Sequence, residues 1–239
     1  MTVKDCKQAL KESIIKNMMS KKYNFKQAQF FITVNDLASL PQQSIKEIAV
    51  CGRSNAGKSS LLNRLTNQTR LAFTSKTPGR TQHINYFSIS NTSDNSAADT
   101  FLVDLPGYGY AKVPEKIRAH WVGLLSDYLI SRPQLVGLVL IMDSRHPLKE
   151  LDYTMLRFFS STGKPIHIVL SKSDKLNNQE KTAVLHLVKS TLHDDGFTNF
   201  SVQLFSAPKR QGIEDVESVL NSWLYSESSI SDKECLHDK

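Results

Sequence analysis

The sequence predicts an α/β domain built on a mostly parallel sheet with helices on both faces, and three observations carry that prediction. A β-branched run at residues 45–50 breaks into a glycine-rich turn followed by an apolar stripe of helical period. Further along, strand-like runs alternate with helix-like stretches, a pattern that requires right-handed crossovers between parallel strands. Between these regions, two strand-like runs flank a short polar segment of hairpin type, which places one antiparallel strand at the edge of an expected six-stranded sheet.

At 239 residues the chain suits one main domain with appendages, and an apolar share of 40% with 22% charged residues is that of an ordinary globular protein. The expected domain covers residues 28–225, with a basic extension at 1–27 and a polar, serine-rich tail at 226–239 that is expected to be disordered. Thirty Lys and Arg against 23 Asp and Glu leave a formal charge of +7, which suits an anionic partner such as RNA. Lys4, Lys7, Lys11, Lys16, Lys21, Lys22 and Lys26 concentrate that charge in the extension. There Leu10, Ile14 and Met18, at four-residue intervals, predict a short amphipathic helix. Cys6, Cys51 and Cys235 are odd in number, far apart and without metal-ligand spacing, which points to a reducing compartment. The longest apolar run, residues 135–142, is too short to cross a bilayer, and the N-terminus lacks the apolar core of a secretory signal. The expectation is a cytoplasmic monomer with no membrane span.

Taken in order, residues 45–50 read as a strand and residues 59–65 as a helix that buries Leu61, Leu62 and Leu65. Residues 66–83, rich in Thr, Arg, Lys, Pro and Gly, read as a mobile loop. Ile84, Tyr86 and Phe87 open a strand that pairs with residues 100–105 across the polar tip 91–99. Pro106 and Gly107 end the second of these strands, and residues 116–130 carry Trp121, Leu124, Leu125, Tyr128 and Leu129 on one helical face. Strands at 135–142, 166–170 and 201–205 follow, separated by helical stretches, and a last helix spans 212–225. In Asp143-Ser144-Arg145-His146-Pro147 the proline suits a helix's first turn and Asp143 or Ser144 a cap or turn. That Asp and His pair is therefore read as structural. Arg53 and Arg132 could meet phosphate or RNA, but locally they read as solvated charges.

Gly52-Arg53-Ser54-Asn55-Ala56-Gly57-Lys58-Ser59 fits the phosphate-cradling P-loop pattern and lies between a predicted strand and a predicted helix. The glycines let the backbone wrap a phosphate, so that successive N–H groups and the helix N-terminus face negative charge. Lys58 is expected to bridge the β- and γ-phosphates and the Ser59 hydroxyl to ligate Mg²⁺, with Ser60 completing the cradle. The carboxylate of Asp104, in Asp104-Leu105-Pro106-Gly107, emerges from a strand beside that cradle, where it can hold Mg²⁺ through water. The N–H of Gly107 is then placed to sense the γ-phosphate.

Ser171-Lys172-Ser173-Asp174 ends another strand at the same sheet edge and decides the base. A carboxylate at Asp174 accepts from the N1–H and exocyclic amine of guanine, a donor pair that adenine lacks. Lys172 would lay its stem along the ring, and Ser171 keeps a hydroxyl where Asn or Thr is commoner. Phe205-Ser206-Ala207 closes the last strand, where the Ala207 N–H can donate to guanine O6. Together these motifs describe a Ras-like P-loop GTPase that binds GTP and GDP. Asp174 separates this reading from an ATP-dependent P-loop kinase, and the basic surface leaves a nucleotide-gated RNA-binding module as a further reading.

Within the loop Thr77-Pro78-Gly79-Arg80-Thr81-Gln82, Thr81 is the candidate for the second protein ligand of Mg²⁺, with Thr74 and Thr77 as rivals on spacing alone. Tyr108 stands where efficient Ras-like enzymes place a water-orienting glutamine, so slow intrinsic hydrolysis is expected. Asn55 is a candidate for binding K⁺, a charge that would act where an arginine finger otherwise would.

In order, the segments GRSNAGKSS, SKTPGRTQHINYF, VDLPGYGYAKVP, LIMDSRHPLKELD and SKSDKL resemble the EngB/YihA group of bacterial GTPases, also known as YsxC. That group falls in the TrmE-Era-EngA-EngB-septin-like class, and the likeness covers roughly residues 30–225. The resemblance implies a cytoplasmic GTPase that acts in assembly of the large ribosomal subunit and is needed for normal division septum formation. It also implies that Ser59 and Thr81 are the Mg²⁺ ligands. GTP would be contacted by residues 52–59, by Gly79, Arg80, Thr81, Gln82 and His83, by Asp104, Leu105, Pro106 and Gly107, by residues 171–174 and by residues 205–207.

Overall fold

Apolar residues that alternate in phase along each central strand build a sheet buried on both faces. The computed structural model describes residues 23–69, 71, 83–91, 99–109 and 115–225. The expected N-terminal helix around Leu10, Ile14 and Met18, the loop residues Thr74, Thr77, Gly79, Arg80, Thr81 and Gln82, and the C-terminal tail lie outside the described residues. The strands are β1 (Tyr23–Val34), β2 (Lys46–Gly52), β3 (Ile84–Asn91), β4 (Thr100–Asp104), β5 (Leu135–Asp143), β6 (Ile166–Ser171) and β7 (Phe200–Leu204). The helices are α1 (Lys58–Leu65), α2 (Glu115–Ser131), α3 (Glu150–Ser160), α4 (Asn178–Asp194) and α5 (Ile213–Tyr225).

The sheet order is β1-β3-β4-β2-β5-β6-β7. Strands β4, β2, β5, β6 and β7 run parallel, and β3 is antiparallel to both of its neighbours. The sheet thus has seven strands rather than the six expected, and β1 lies outside the antiparallel strand that was expected at the edge. Strand β1 also begins at Tyr23, inside the segment assigned to the basic extension. Its period is hidden because register shifts occur between Asn24 and Gln29 and again between Phe30 and Ile32. Its buried side chains are consequently Phe25, Ala28 and Val34, which share no two-residue spacing.

In β2, Ala49 and Cys51 face one layer, while Ile48 and Val50 face the other. The first layer holds Leu124, Tyr128 and Leu129 of α2, Leu156 and Phe159 of α3, and Val184, Val188 and Leu192 of α4. The second holds Leu61, Leu62 and Leu65 of α1 with Val216, Leu220 and Leu224 of α5. This division leaves the carboxyl ends of β2, β4, β5, β6 and β7 along one rim, where loops can form a cleft.

At the opposite end a buried charge ties β2 to β3 and to the end of α2 within the first layer. Glu47 Oε1 accepts from Arg132 Nε at 3.0 Å and Nη2 at 2.6 Å, and Oε2 accepts from the hydroxyls of Tyr128 at 2.8 Å and Tyr86 at 3.2 Å. Arg132 Nη2 also donates to the Pro41 carbonyl at 2.6 Å. Arg132 is therefore a buried structural ion-pair partner rather than a solvated charge. Burial, then the Glu47 charge, pushes both phenols above their ordinary range. Pro147 also differs from expectation, because Leu148 takes φ +53° and the helix begins only at Glu150, which leaves the proline ahead of the first turn.

Candidate functional site

The cradle starts where β2 runs out of room for side chains. A Cβ on Gly52 would stand 2.6 Å from the Ile141 carbonyl oxygen of β5, so only glycine fits. The chain then turns through Arg53 and Ser54 to Asn55, which takes φ +60°, and Gly57, which takes φ +109°. An Ala56 N–H to Arg53 carbonyl bond at 3.0 Å closes the turn, and Leu61 N–H to Gly57 carbonyl at 2.9 Å opens α1. Lys58, Ser59 and Ser60 thus form the first turn of α1, whose N-terminal N–H groups make an anion site.

Lys58 Nζ pairs with Asp104 Oδ1, and both side chains are largely buried. The pair joins the base of the cradle to the end of β4, and the sequence motifs alone gave no sign that these two groups would neutralise each other. Leu105 N–H donates to the Val50 carbonyl at 3.0 Å, which carries the next segment along β2. Pro106 and Gly107 are buried, and a Cβ on Gly107 would lie 3.5 Å from both the Gly52 carbonyl oxygen and the Ser54 nitrogen. Asp104 and Gly107 therefore meet the cradle as expected.

At the other end of the rim, Ser171 Oγ donates to the Ala56 carbonyl, so the hydroxyl in place of Asn or Thr does make the tether to the cradle. Lys172, at φ +58°, sends Nζ to the Asn55 carbonyl at 2.7 Å and to Asp143 Oδ2 at 2.9 Å. Ser173 N–H donates to the Phe205 carbonyl at 3.1 Å, and Ser206 Oγ donates to Asp174 Oδ1 at 2.9 Å. Burial pushes the Asp174 carboxyl up, but hydrogen bonds led by the Ser206 hydroxyl outweigh it and hold the group below its usual range. Asp174 is thus an anionic acceptor at neutral pH.

A cavity of about 580 Å³ lies between these ends, lined by Gly57 and Ser60 of the cradle and by Lys172, Asp174, Phe205 and Ala207 of the base side. The groups expected to bind phosphate and those expected to read guanine thus line one cleft. Among the described residues, no group of three or more His, Cys, Asp or Glu side chains could hold a metal ion. One hydroxyl from Ser59 and one carboxylate from Asp104 fit Mg²⁺, which takes few protein ligands beside waters and phosphate oxygens. His83 is exposed, one residue ahead of β3. Thr81, Gly79, Arg80 and Gln82 lie outside the described residues.

The Arg53 guanidinium turns away from the cleft to the buried carboxylate of Asp152, at 3.0 Å from Oδ2. Its side chain is thus an ion-pair partner rather than the solvated charge that was expected. Asp143 does serve a turn, since its carboxylate accepts from the Arg145 N–H at 3.1 Å. It also meets Lys172, a partner that local sequence reading missed. Strand order is the signal that could have found it, because β5 lies between β2 and β6 and ends at Asp143.

The family described as 50S ribosome-binding GTPase matches residues 47–172. The chain is 58% identical over 201 residues to the "Probable GTP-binding protein EngB" of Neisseria meningitidis serogroup B, covering 84% of this chain and 92% of that protein. It is 59% identical over 199 residues to the protein of the same name in Laribacter hongkongensis, covering 83% and 86% respectively. Among solved structures, a probable GTP-binding protein engB superposes with a TM-score of 0.56 at 19% identity, over 74% of this chain and 98% of that one. Era in complex with MgGDPNP and nucleotides 1506–1542 of 16S ribosomal RNA superposes with a TM-score of 0.58 at 18% identity, over 75% and 57%. These two superpositions bear on the fold alone. On its sequence relatives and family match, the chain belongs to the EngB family of P-loop GTPases, which bind and hydrolyse GTP.

Proposed function

We propose that the cleft binds GTP and GDP with Mg²⁺, and that the chain uses slow hydrolysis as a molecular switch in assembly of the large ribosomal subunit. The observation that carries the nucleotide reading is the single cavity bounded by Gly57 and Ser60 on one side and by Asp174 on the other. GTP would draw Lys58 from Asp104 to the β- and γ-phosphates, and the released carboxylate, with Ser59, would hold the metal's shell. Mg²⁺, when bound, supplies charge that neutralises the phosphates. Thr81 would close over the γ-phosphate side, and residues 79–83 would order with it.

Slow turnover is argued from Tyr108, whose hydroxyl donates to Asp152 at 2.8 Å and is thereby occupied away from any attacking water. Asn55, exposed at the turn of the cradle, would bind K⁺. The ribosomal role, and with it a part in cell division and septation, draws support from the family's description and from the +7 charge. A cytoplasmic monomer suits that role, and no described helix is long and apolar enough to cross a membrane.

Titration of GDP, GTP, ATP and XTP to the purified chain with Mg²⁺, followed by capture of ribosomal subunits in each nucleotide state, tests this function. Guanine-selective binding and GTP-dependent retention of the large subunit are expected, with hydrolysis faster in K⁺ than in Na⁺. Equal ATP and GTP affinity would end the base assignment, equal rates in the two salts the cation proposal, and nucleotide-independent retention the switch.

A further inference from the structure

Asp152, fully buried in the first turn of α3, gathers three segments that the motifs treat separately. Arg53, the residue after β2, places Nε 3.1 Å from Oδ1 and 3.0 Å from Oδ2, and donates through Nη2 to the His146 carbonyl at 2.7 Å. The hydroxyl of Tyr108, the residue after Gly107, donates to Oδ1 at 2.8 Å. Oδ2 also accepts from the Lys149 N–H at 3.0 Å, at the start of the helix.

Beneath these side chains the two main chains are stitched directly. Ser54 N–H donates to the Tyr108 carbonyl at 3.0 Å, and Tyr108 N–H donates to the Gly52 carbonyl at 3.3 Å. Gly107 is held against the cradle between these bonds and the end of β4. The next residue with left-handed backbone freedom is Gly109, at φ +88°.

We propose that Asp152 is a positioning residue for the γ-phosphate: through Arg53 and Tyr108 it fixes the Gly107 N–H relative to the phosphate cradle before GTP arrives. This rests on the reading of the cleft as a GTP site. A buried carboxylate that satisfies three donors resists being unpaired, so the link holds the segment firmly. A donor aimed in advance costs no reorganisation when the third phosphate binds. The same geometry explains why a tyrosine occupies the position after Gly107: its hydroxyl reaches α3 and anchors the backbone.

The test uses the full chain with Tyr108→Phe, which removes one hydroxyl, and Asp152→Asn, which keeps an acceptor for Tyr108 but loses the charge that holds Arg53. Dissociation constants for GDP and for a non-hydrolysable GTP analogue are measured beside thermal midpoints. In both variants the preference for the GTP analogue over GDP is expected to fall by about 5-fold to 10-fold, with GDP affinity within about twofold of the parent. Equal weakening of both nucleotides, or a lowered midpoint with an unchanged ratio, would overturn the proposal. If Asp152→Asn does not fold, Tyr108→Phe alone decides. Failure of the parent chain to bind GDP would instead defeat the reading of the cleft.

Discussion

The Lys172 ammonium lies 2.9 Å from Asp143 Oδ2 and 2.7 Å from the Asn55 carbonyl, so one lysine joins the end of β5 to the phosphate cradle. Its aliphatic stem is thereby held at the wall of the cavity, where a guanine ring would lie. Asp143→Asn removes the anionic partner while keeping the shape. GDP affinity should fall by about 3-fold to 10-fold, a loss of about 1 kcal/mol read by fluorescence titration.

The same residue gives a pH signature. Burial pushes the Asp143 carboxyl up, but hydrogen bonds from Arg145 and Lys172 outweigh it and hold the group well below the usual carboxylate range. A depressed folded value means that its stabilisation is complete above the unfolded value of about 3.9 and fades as pH falls toward the folded one. The stability gap between the parent chain and Asp143→Asn should therefore narrow as pH drops from about 5 to about 2 in denaturant melts. A gap constant over that range would show that the carboxylate is not held by these partners.

Arg132 should matter for folding and not for nucleotide. Removing its guanidinium with Arg132→Met strands the buried Glu47 carboxylate, a loss of about 3–5 kcal/mol. Glu47 sits near the start of β2 and the cradle at its end, so GDP affinity of the folded fraction should stay within about twofold. Denaturation and titration of the same sample check both halves.

The Ser59 hydroxyl is the described protein oxygen proposed to ligate the metal directly. Ser59→Ala should raise the Mg²⁺ concentration for half-maximal hydrolysis by about tenfold or more, while binding of GDP in excess EDTA changes little. An unchanged Mg²⁺ requirement would remove Ser59 from the metal site.

Much of this was legible from sequence because local chemistry decides it. Gly52, Gly57 and Lys58 announce a cradle wherever a strand precedes and a helix follows, and β2 and α1 form on each side of them. Asp104 and Asp174 follow at strand ends, and a parallel sheet brings such ends to one rim. Strand β1 was hidden, since its bulges remove the two-residue period on which strand recognition depends. The partnerships of Arg53 with Asp152 and of Arg132 with Glu47 were hidden too, because they join residues 99 and 85 positions apart. Pro147 misled because a helix-start proline and a loop proline look alike until the backbone of Leu148 is known.

The proposed function has one nucleotide span the rim from Lys58 to Asp174, and a base swap at one end tests that directly. Titrating GDP and XDP to the parent chain and to Asp174→Asn compares a carboxylate that accepts from the guanine amine with an amide that can donate to the xanthine carbonyl. GDP should weaken by about tenfold or more in the variant while XDP tightens, reversing the preference of the parent chain. Unchanged GDP affinity in a folded variant would contradict the placement of guanine against Asp174, and with it the shared cleft.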